Sequence, residues 1–395
     1  MRIVEEIGRM QEEMTAWRRH LHAHPELAYE EVETARFVAE KLRSFGVDEV
    51  HEGIAKTGVV GVLRGRGPGP SIGLRADMDA LPIEERTNKP WSSKVPGKMH
   101  ACGHDGHTTM LLGAARHLAR SRSFSGTLYL IFQPAEEGFA GARAMIEEGL
   151  FERFPMERVF GLHNWPDLPA GEFGMRVGPA MAAADRFTIL LEGLGCHGAM
   201  PHQGRDPIVA AAALVQGLQS IVSREVDPID NAVISVTRIA AGDAYNVVPD
   251  RAELWGTVRT YKPETRDAIE RRLREVTDGI AAAYRTTASV RYERGYPATV
   301  NSAEEVSLSA AVAAELVGPS KVHSDHPPCM GAEDFAFMLE RKPGSYVWMG
   351  QGGGAEGRVC HSPFYDFNDE VLALGASYWV RLVEHLAPPP SAGQR

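Results

Sequence analysis

The stretch Thr127-Leu128-Tyr129-Leu130-Ile131-Phe132-Gln133-Pro134-Ala135-Glu136-Glu137-Gly138 runs apolar without a break, then stops at a proline and a pair of carboxylates. A run of strand length with no polar alternation predicts a strand covered on both faces, as in a parallel sheet. Parallel strands need crossover helices, and residues 108–120 before the run and 140–148 after it have helical composition. Residues 58–64 and 71–75, joined by the Gly/Pro-rich segment 65–70, read as two neighbouring strands. The second leads into Arg75-Ala76-Asp77-Met78-Asp79-Ala80-Leu81-Pro82. A short strand over 159–162 leads into His163-Asn164-Trp165. Strand after strand thus ends in a polar cluster, and open α/β sheets bind ligands beyond the carboxyl ends of their strands. Asp79, Glu136, Glu137 and His163 are expected on one rim.

The densest chemistry is Met99-His100-Ala101-Cys102-Gly103-His104-Asp105-Gly106-His107. Soft and borderline ligands this close together point to a metal or a nucleophile. On extended backbone Cys102 and His104 would face the same way, as a two-ligand clamp. The pair Glu136-Glu137 offers one carboxylate for a metal and one for a substrate, since adjacent side chains on extended backbone point apart. Taken alone, Glu-Glu is most often solvated surface and a lone strand-end His163 most often structural. Residues 360–369, Cys360-His361-Ser362-Pro363-Phe364-Tyr365-Asp366-Phe367-Asn368-Asp369, read as a polar, aromatic loop before a helix, with Asp366 or Asn368 as the cap.

The rest of the chain frames these motifs. Ile3, Ile7, Met10, Met14, Trp17 and Leu21 form one amphipathic stripe ending near His20, His22 and His24, which read as polar groups at a helix end. A second helix is expected over 31–45, closed by Gly46. From Asp185 the texture changes to alternation, with Phe187, Ile189 and Leu191 on one face. The order from there is strand, helix from Asp206-Pro207, strands over 233–240 and 251–260, helix through Ile269 and Ile280, and strand over 288–292. That β-α-β-β-α-β order is ferredoxin-like. Beyond it come helices near 303–316 and 334–339, a strand over 346–349 and a closing helix over 369–385. The tail 387–395 is expected to fray.

Composition sets limits. The chain has 395 residues, 44% hydrophobic and 24% charged, with 42 basic and 52 acidic residues and a net charge of −10. The length favours two domains, and the acidic balance without any basic run argues against nucleic-acid binding. Four cysteines, Cys102, Cys196, Cys329 and Cys360, make no disulfide framework, and no long apolar run is present. A cytoplasmic enzyme without membrane contact is the expectation.

The ordered motifs 75–82, 99–107, 133–138, 161–164, 197–202, 246–250, 256–260, 331–335 and 361–369 resemble the amidohydrolase branch of the aminoacylase/carboxypeptidase-G-like dinuclear metallopeptidases. That branch includes hippurate hydrolases, N-acyl-amino-acid amidohydrolases and plant indoleacetyl-amino-acid hydrolases. The resemblance runs nearly end to end. It implies an α/β fold, a mixed-sheet catalytic domain over 1–184 and 296–395 with an inserted ferredoxin-like lid and dimerisation domain over 185–295. It implies two divalent ions, Zn, Mn, Co or Ni, on Cys102, His104, Glu137, His163 and His361. Glu136 falls on the general acid/base. Asp79 matches an aspartate that supports a ligand, and Asp77 stands where the wider superfamily has a histidine ligand. His197 matches an oxyanion-stabilising histidine, Asn246 and Arg259 match groups that grip the substrate carboxylate, and Glu333 matches an acidic residue near the metals. The implied reaction is hydrolysis of N-acyl or N-aroyl L-amino acids by a homodimer or homotetramer. A dipeptidase, or a deacetylase of an intermediate such as N-acetyl-diaminopimelate, would use the same chemistry. Outside this class stand a non-catalytic binding protein with a degenerate site and a cysteine hydrolase using Cys102. The first should lack a ligand or the base, and the second lacks a residue to orient His104. Two departures from the family pattern are Cys196, where a glycine is usual beside the histidine, and Cys360, which reads as packing.

Overall fold

A computed structural model describes residues 1–389. The chain divides into two compact units, Met1–Ala180 with Thr299–Pro327 and Asp334–Arg395, and Met181–Ala298 with Pro328–Glu333. The inserted unit therefore begins and ends a few residues outside 185–295. It also takes in Pro328–Glu333, which the sequence placed with the catalytic portion. The reason is backbone pairing: the Ala182 N–H donates to the carbonyls of Cys329 and Gly331 at 3.1 and 2.9 Å. Glu333 consequently belongs to the second unit.

The first unit is built on an eight-stranded mixed sheet. Its order is Glu49–Ile54, Gly58–Arg64, Thr127–Gln133, Ser71–Asp77, Arg158–Trp165, Gly344–Gly350, Phe173–Gly174 and Val322–His323. The apolar strand Thr127–Gln133 is buried almost throughout and runs parallel to Ser71–Asp77. Ser71–Asp77, Arg158–Trp165 and Gly344–Gly350 continue the parallel set. The carboxyl ends of these four strands share one edge.

The expected pairing of residues 58–64 with 71–75 does not form. Gly58–Arg64 and Ser71–Asp77 are not neighbours, because Thr127–Gln133 lies between them. The short link does not close a hairpin. It pairs instead with the turn before Thr127, Gly65 N–H donating to Gly126 O at 2.8 Å and Arg66 N–H to Phe124 O at 2.7 Å. Those bonds hold the link against that turn and leave room for the third strand.

The helix His104–Ser121 is buried along nearly its whole length and packs against Leu372–Leu386, Gln11–Ala23 and Val32–Phe45. Met110, Leu111, Leu112, Ala114, Ala115 and Leu118 join it to the core. The N-terminal stripe breaks at Met10 into helices Glu5–Arg9 and Gln11–Ala23, yet Ile7, Met14, Trp17 and Leu21 stay buried as the spacing required. Asn368, not Asp366, caps the closing helical segment, accepting from Glu370 N–H at 3.1 Å. At the tail, Ala387 is buried and its carbonyl accepts from Ser125 N–H at 2.8 Å, so the chain is anchored at that point. Residues 390–395, where fraying was also expected, lie outside the described residues.

The second unit has a four-stranded antiparallel sheet, Ala232–Ala240, Arg251–Thr260, Ala183–Glu192 and Thr287–Tyr296 in spatial order. With helices Pro207–Arg224 and Pro263–Ala283 this is the split β-α-β arrangement of ferredoxin-like units. Phe187, Ile189, Leu191, Ala252, Leu254 and Val258 face the helices and form its core. Asp206 caps the first helix by accepting from Ile208 N–H at 2.8 Å, with Pro207 at the first helical position. Among the described residues no helix is long and apolar enough to cross a membrane.

Candidate metal centre

Cys102 and His104 converge, but not as an extended clamp. His104 opens the helix His104–Ser121, and Gly103 before it has φ +105°. Only glycine suits this position, because a Cβ there would overlap Asn164 Oδ1 and Tyr365 Oη. The left-handed step turns Cys102 and His104 toward each other across the end of the sheet.

Each imidazole has one nitrogen anchored. His104 Nδ1 donates to Asp79 Oδ1 at 3.2 Å, and its Nε2 is buried without a hydrogen-bond partner. His163 Nδ1 donates to the Asn164 carbonyl at 2.6 Å, which directs the Nε2 lone pair to Cys102 Sγ, 3.4 Å away. His163 lies inside the strand Arg158–Trp165, not beyond it. One ring nitrogen held and the other free is the arrangement of metal-ligating histidines.

Glu136 and Glu137 are not on extended backbone either. Ala135 adopts φ +55°, and the two glutamates open a short turn in which Glu137 and Gly138 depart from helical angles. Ala135 N–H is held by Glu31 Oε1 at 2.8 Å. Burial pushes the Glu31 carboxyl up to about 7. Both glutamates thereby approach His104, where alternating geometry would have separated them. His361 is also left-handed, at φ +64°, and its N–H donates to Ala101 O at 2.7 Å. Its Nε2 stands 3.2 Å from Glu137 Oε1, a buried oxygen that lacks a hydrogen-bond partner. The bond to Ala101 holds this strained residue against the cysteine loop.

The result is two donor sets. Cys102, His104 and His163 offer ligand atoms within 4.8 Å of one another, and so do Cys102, Glu137 and His361. The sets share Cys102 Sγ, and His104, Glu136 and Glu137 form a further group within the same limit. Thiolate, imidazole and carboxylate donors suit borderline divalent ions. The orphaned His104 Nε2 and Glu137 Oε1 are the atoms such ions would satisfy.

Electrostatics separates ligands from supports. Asp77 is saturated: Oδ1 accepts from His107 Nδ1 at 2.6 Å and Oδ2 from the Arg75 guanidinium at 2.6 Å. Burial opposes its ionisation, yet Arg75, His104 and His107 hold its carboxyl well below the usual range. Both of its oxygens are thereby engaged by Arg75 and His107. His107 reaches on to Asn164 Oδ1 at 2.6 Å, linking two strand ends. Burial would lower His104, but Asp77 and Asp79 raise it to about 10. His163 is pushed well below its ordinary value by burial and by His107. His100 is buried with neither ring nitrogen hydrogen-bonded, and burial brings it to about 4, so it packs as a neutral ring.

Asp79 also accepts the Glu137 N–H at 2.9 Å, so one carboxylate bonds a member of each donor set. Asp79→Asn should weaken metal affinity by about 10–100-fold, read by titration against a chromophoric chelator. An unchanged affinity would remove Asp79 from this role.

Sequence reasoning missed several supports. Arg75 and Gln133 hold Asp334, whose backbone N–H lies 3.4 Å from Glu136 Oε1. Asn164 and Tyr365 hydrogen-bond at 2.9 Å and close the space beside Gly103. A polar residue beside a strand-end ligand, as in His163-Asn164, was the available signal. His22, read as a polar group at a helix end, is buried there, with Nδ1 2.9 Å from Asp105. Burial lowers His22, but Asp105 and Glu85 bring it up to about 9. His20 and His24 do sit at the partly exposed helix end.

The remaining predicted residues are in the second unit. His197 is exposed and pairs in register with Val247, next to Asn246, whose carbonyl accepts from Gly198 N–H at 2.7 Å. His197 Nδ1 accepts from Ala199 N–H at 3.0 Å, which leaves Nε2 as the protonated nitrogen of the neutral ring. Arg259 is half-buried, and its guanidinium bonds Thr257 Oγ1 and the Val258 carbonyl, the latter at 3.1 Å. Among the described residues it has no carboxylate within salt-bridge distance. Glu333 is buried.

Comparison with known proteins is consistent along the chain. Residues 73–385 match the model of peptidase family M20/M25/M40. The chain is 45% identical over 382 residues to the hippurate hydrolase of Campylobacter jejuni, covering 97% of this chain and 98% of that one. It is 43% identical over 366 residues to the N-acetylcysteine deacetylase of Bacillus subtilis, covering 92% and 94%. A solved Bacillus subtilis structure, a dinuclear metal-binding peptidase of the M20 family, superposes with TM-score 0.83 at 40% identity, covering 96% of this chain and 99% of that one. A centre with two donor sets that share a buried cysteine, on this fold and at these identities, makes the chain a hydrolase of peptidase family M20/M25/M40, in its amidohydrolase branch.

Proposed function

We propose that the enzyme hydrolyses the amide bond of an N-acyl or N-aroyl L-amino acid, giving a carboxylic acid and a free amino acid. The reading is carried by the two donor sets that share Cys102 Sγ, with Glu136 beside them and no ligand or base missing. Cys102, His104, Glu137, His163 and His361 would hold two divalent ions, with zinc, manganese, cobalt and nickel all suited to this mixture of donors. Bound there, the ions would polarise the scissile carbonyl and acidify the attacking water.

The chain's own groups do the rest. Glu136 accepts the proton of the attacking water and returns it to the leaving nitrogen. His197, with its proton on Nε2, donates to the oxygen that becomes negative as the carbonyl turns tetrahedral. Arg259 offers a planar two-pronged donor to the amino-acid carboxylate, and Asn246 assists. That Arg259 has no carboxylate partner among the described residues favours this role over a structural ion pair. The second unit serves as a lid and dimerisation domain.

Identity to a hippurate hydrolase over nearly the whole chain favours benzoylglycine as first substrate, and identity to an N-acetylcysteine deacetylase favours N-acetylated amino acids as the alternative. Metal-reconstituted enzyme assayed on benzoyl-, acetyl-, longer acyl- and indoleacetyl-amino acids tests both. We expect turnover on at least one aroyl or acyl series. Silence across that panel, with turnover only of free dipeptides, would replace the proposal with a dipeptidase.

A further inference from the structure

Cys360 was read from sequence as packing, yet its position is more specific. It precedes His361, whose N–H to Ala101 O clamps this loop against the one carrying Cys102. Cys360 Sγ lies 3.8 Å from the Cys102 carbonyl, which places the two cysteines side by side. Cys360 contributes to none of the donor groups among the described residues, so the metal site does not account for this second sulfur. Cys102 is buried, whereas Cys360 is only partly so, which makes Cys360 the outer member of the pair.

We infer that Cys102 and Cys360 form a reversible disulfide when a low-molecular-weight disulfide reaches the metal-free centre, and that this bond and metal binding exclude each other. The steps balance. The Cys360 thiolate attacks the small disulfide, forming a mixed disulfide and expelling one small thiolate. Cys102 then attacks the Cys360 sulfur, closing the protein disulfide and expelling the second small thiolate. The protein loses two electrons and two protons, and the small disulfide becomes two thiols. A disulfide sulfur has no thiolate to offer a metal, so the bridging donor of both sets is lost. The exclusion rests on the ligand assignment under the proposed function, whereas the crosslink does not.

The test incubates chelator-stripped and metal-loaded full-length protein with oxidised glutathione and maps disulfides by non-reducing peptide mass spectrometry. The stripped protein should yield a Cys102–Cys360 linked peptide, lose metal uptake, and regain it on reduction. Ions at ten times their dissociation constant should slow the crosslink about tenfold. Cys360→Ser should take up metal and retain metal uptake better after the same treatment. Separate glutathione adducts on Cys102 and Cys360, or free thiols at both, would overturn the pair. A crosslink that forms equally fast with and without metal would overturn the exclusion, and with it Cys102 as a ligand, while the pair itself would stand.

Discussion

Glu136→Gln should lower kcat by a factor of about 10²–10⁴ while leaving metal content and KM close to wild type. The substitution keeps the size of the side chain and an acceptor for the Asp334 N–H, which lies 3.4 Å from Glu136 Oε1. Asp334 itself is pinned: its carboxylate accepts from Gln133 at 2.8 and 3.0 Å, from Arg75 at 3.1 Å and from Ala142 N–H at 2.9 Å. Geometry should therefore survive, and only basicity is removed. Glu136 belongs to a donor group with His104 and Glu137 but to neither of the sets sharing Cys102, so its loss should not release metal. Steady-state kinetics beside elemental analysis separates the outcomes. A Gln variant with full metal and more than about a tenth of wild-type kcat would mean another group moves the proton. A variant that loses metal would mean Glu136 is a ligand.

How far the sequence leads depends on which interactions are local. The apolar run 127–132 and the alternation at Phe187, Ile189 and Leu191 are short-range patterns, and they yield the doubly covered strand of the mixed sheet and the alternating strand of the second sheet. Polar clusters at strand ends place Asp79, Glu136, Glu137 and His163 at one rim for the same reason. What the pattern could not carry is set by contacts distant in sequence or by single backbone angles. The strand Thr127–Gln133 enters between Gly58–Arg64 and Ser71–Asp77 because of bonds to a turn more than fifty residues away. Cys102 and His104 meet through one left-handed glycine, and His361 faces Glu137 from a left-handed position that no side-chain rule demands. Burial of His22 depends on Asp105 across 83 residues. The ligand set as a whole was legible only through resemblance, since no spacing joins residues 102, 137, 163 and 361.

Cys102→Ala should remove both metal ions, whereas His361→Ala should remove one and leave the other largely in place. The two donor sets are Cys102 with His104 and His163, and Cys102 with Glu137 and His361. Deleting the shared sulfur takes a ligand from each set, and deleting His361 takes a ligand from the second alone. Activity should fall to background in the cysteine variant, because the carbonyl and the water both depend on the ions. Elemental analysis after dialysis at matched free metal gives the stoichiometry. Equal losses from the two variants would mean that the donors act as one cluster and that Cys102 does not bridge. Proton competition supplies an independent reading on the wild-type protein. In the metal-free fold Asp77 and Asp79 keep His104 protonated up to about pH 10, and the Cys102 thiol is raised well above its ordinary value by the adjacent Cys360 and by burial. Metal must displace both protons, so apparent affinity should rise with pH below 10, by about tenfold per unit for each proton released. The sign for stability of the metal-free fold is opposite. A His104 raised from 6.5 to about 10 contributes fully below pH 6.5, and that contribution is lost as pH climbs through 10. Raising the pH over that interval should thus weaken the empty protein, while the loaded one, whose His104 carries no proton, is spared that loss, widening the gap in Tm between them. A gap that narrows would show that His104 does not exchange its proton for a metal ion.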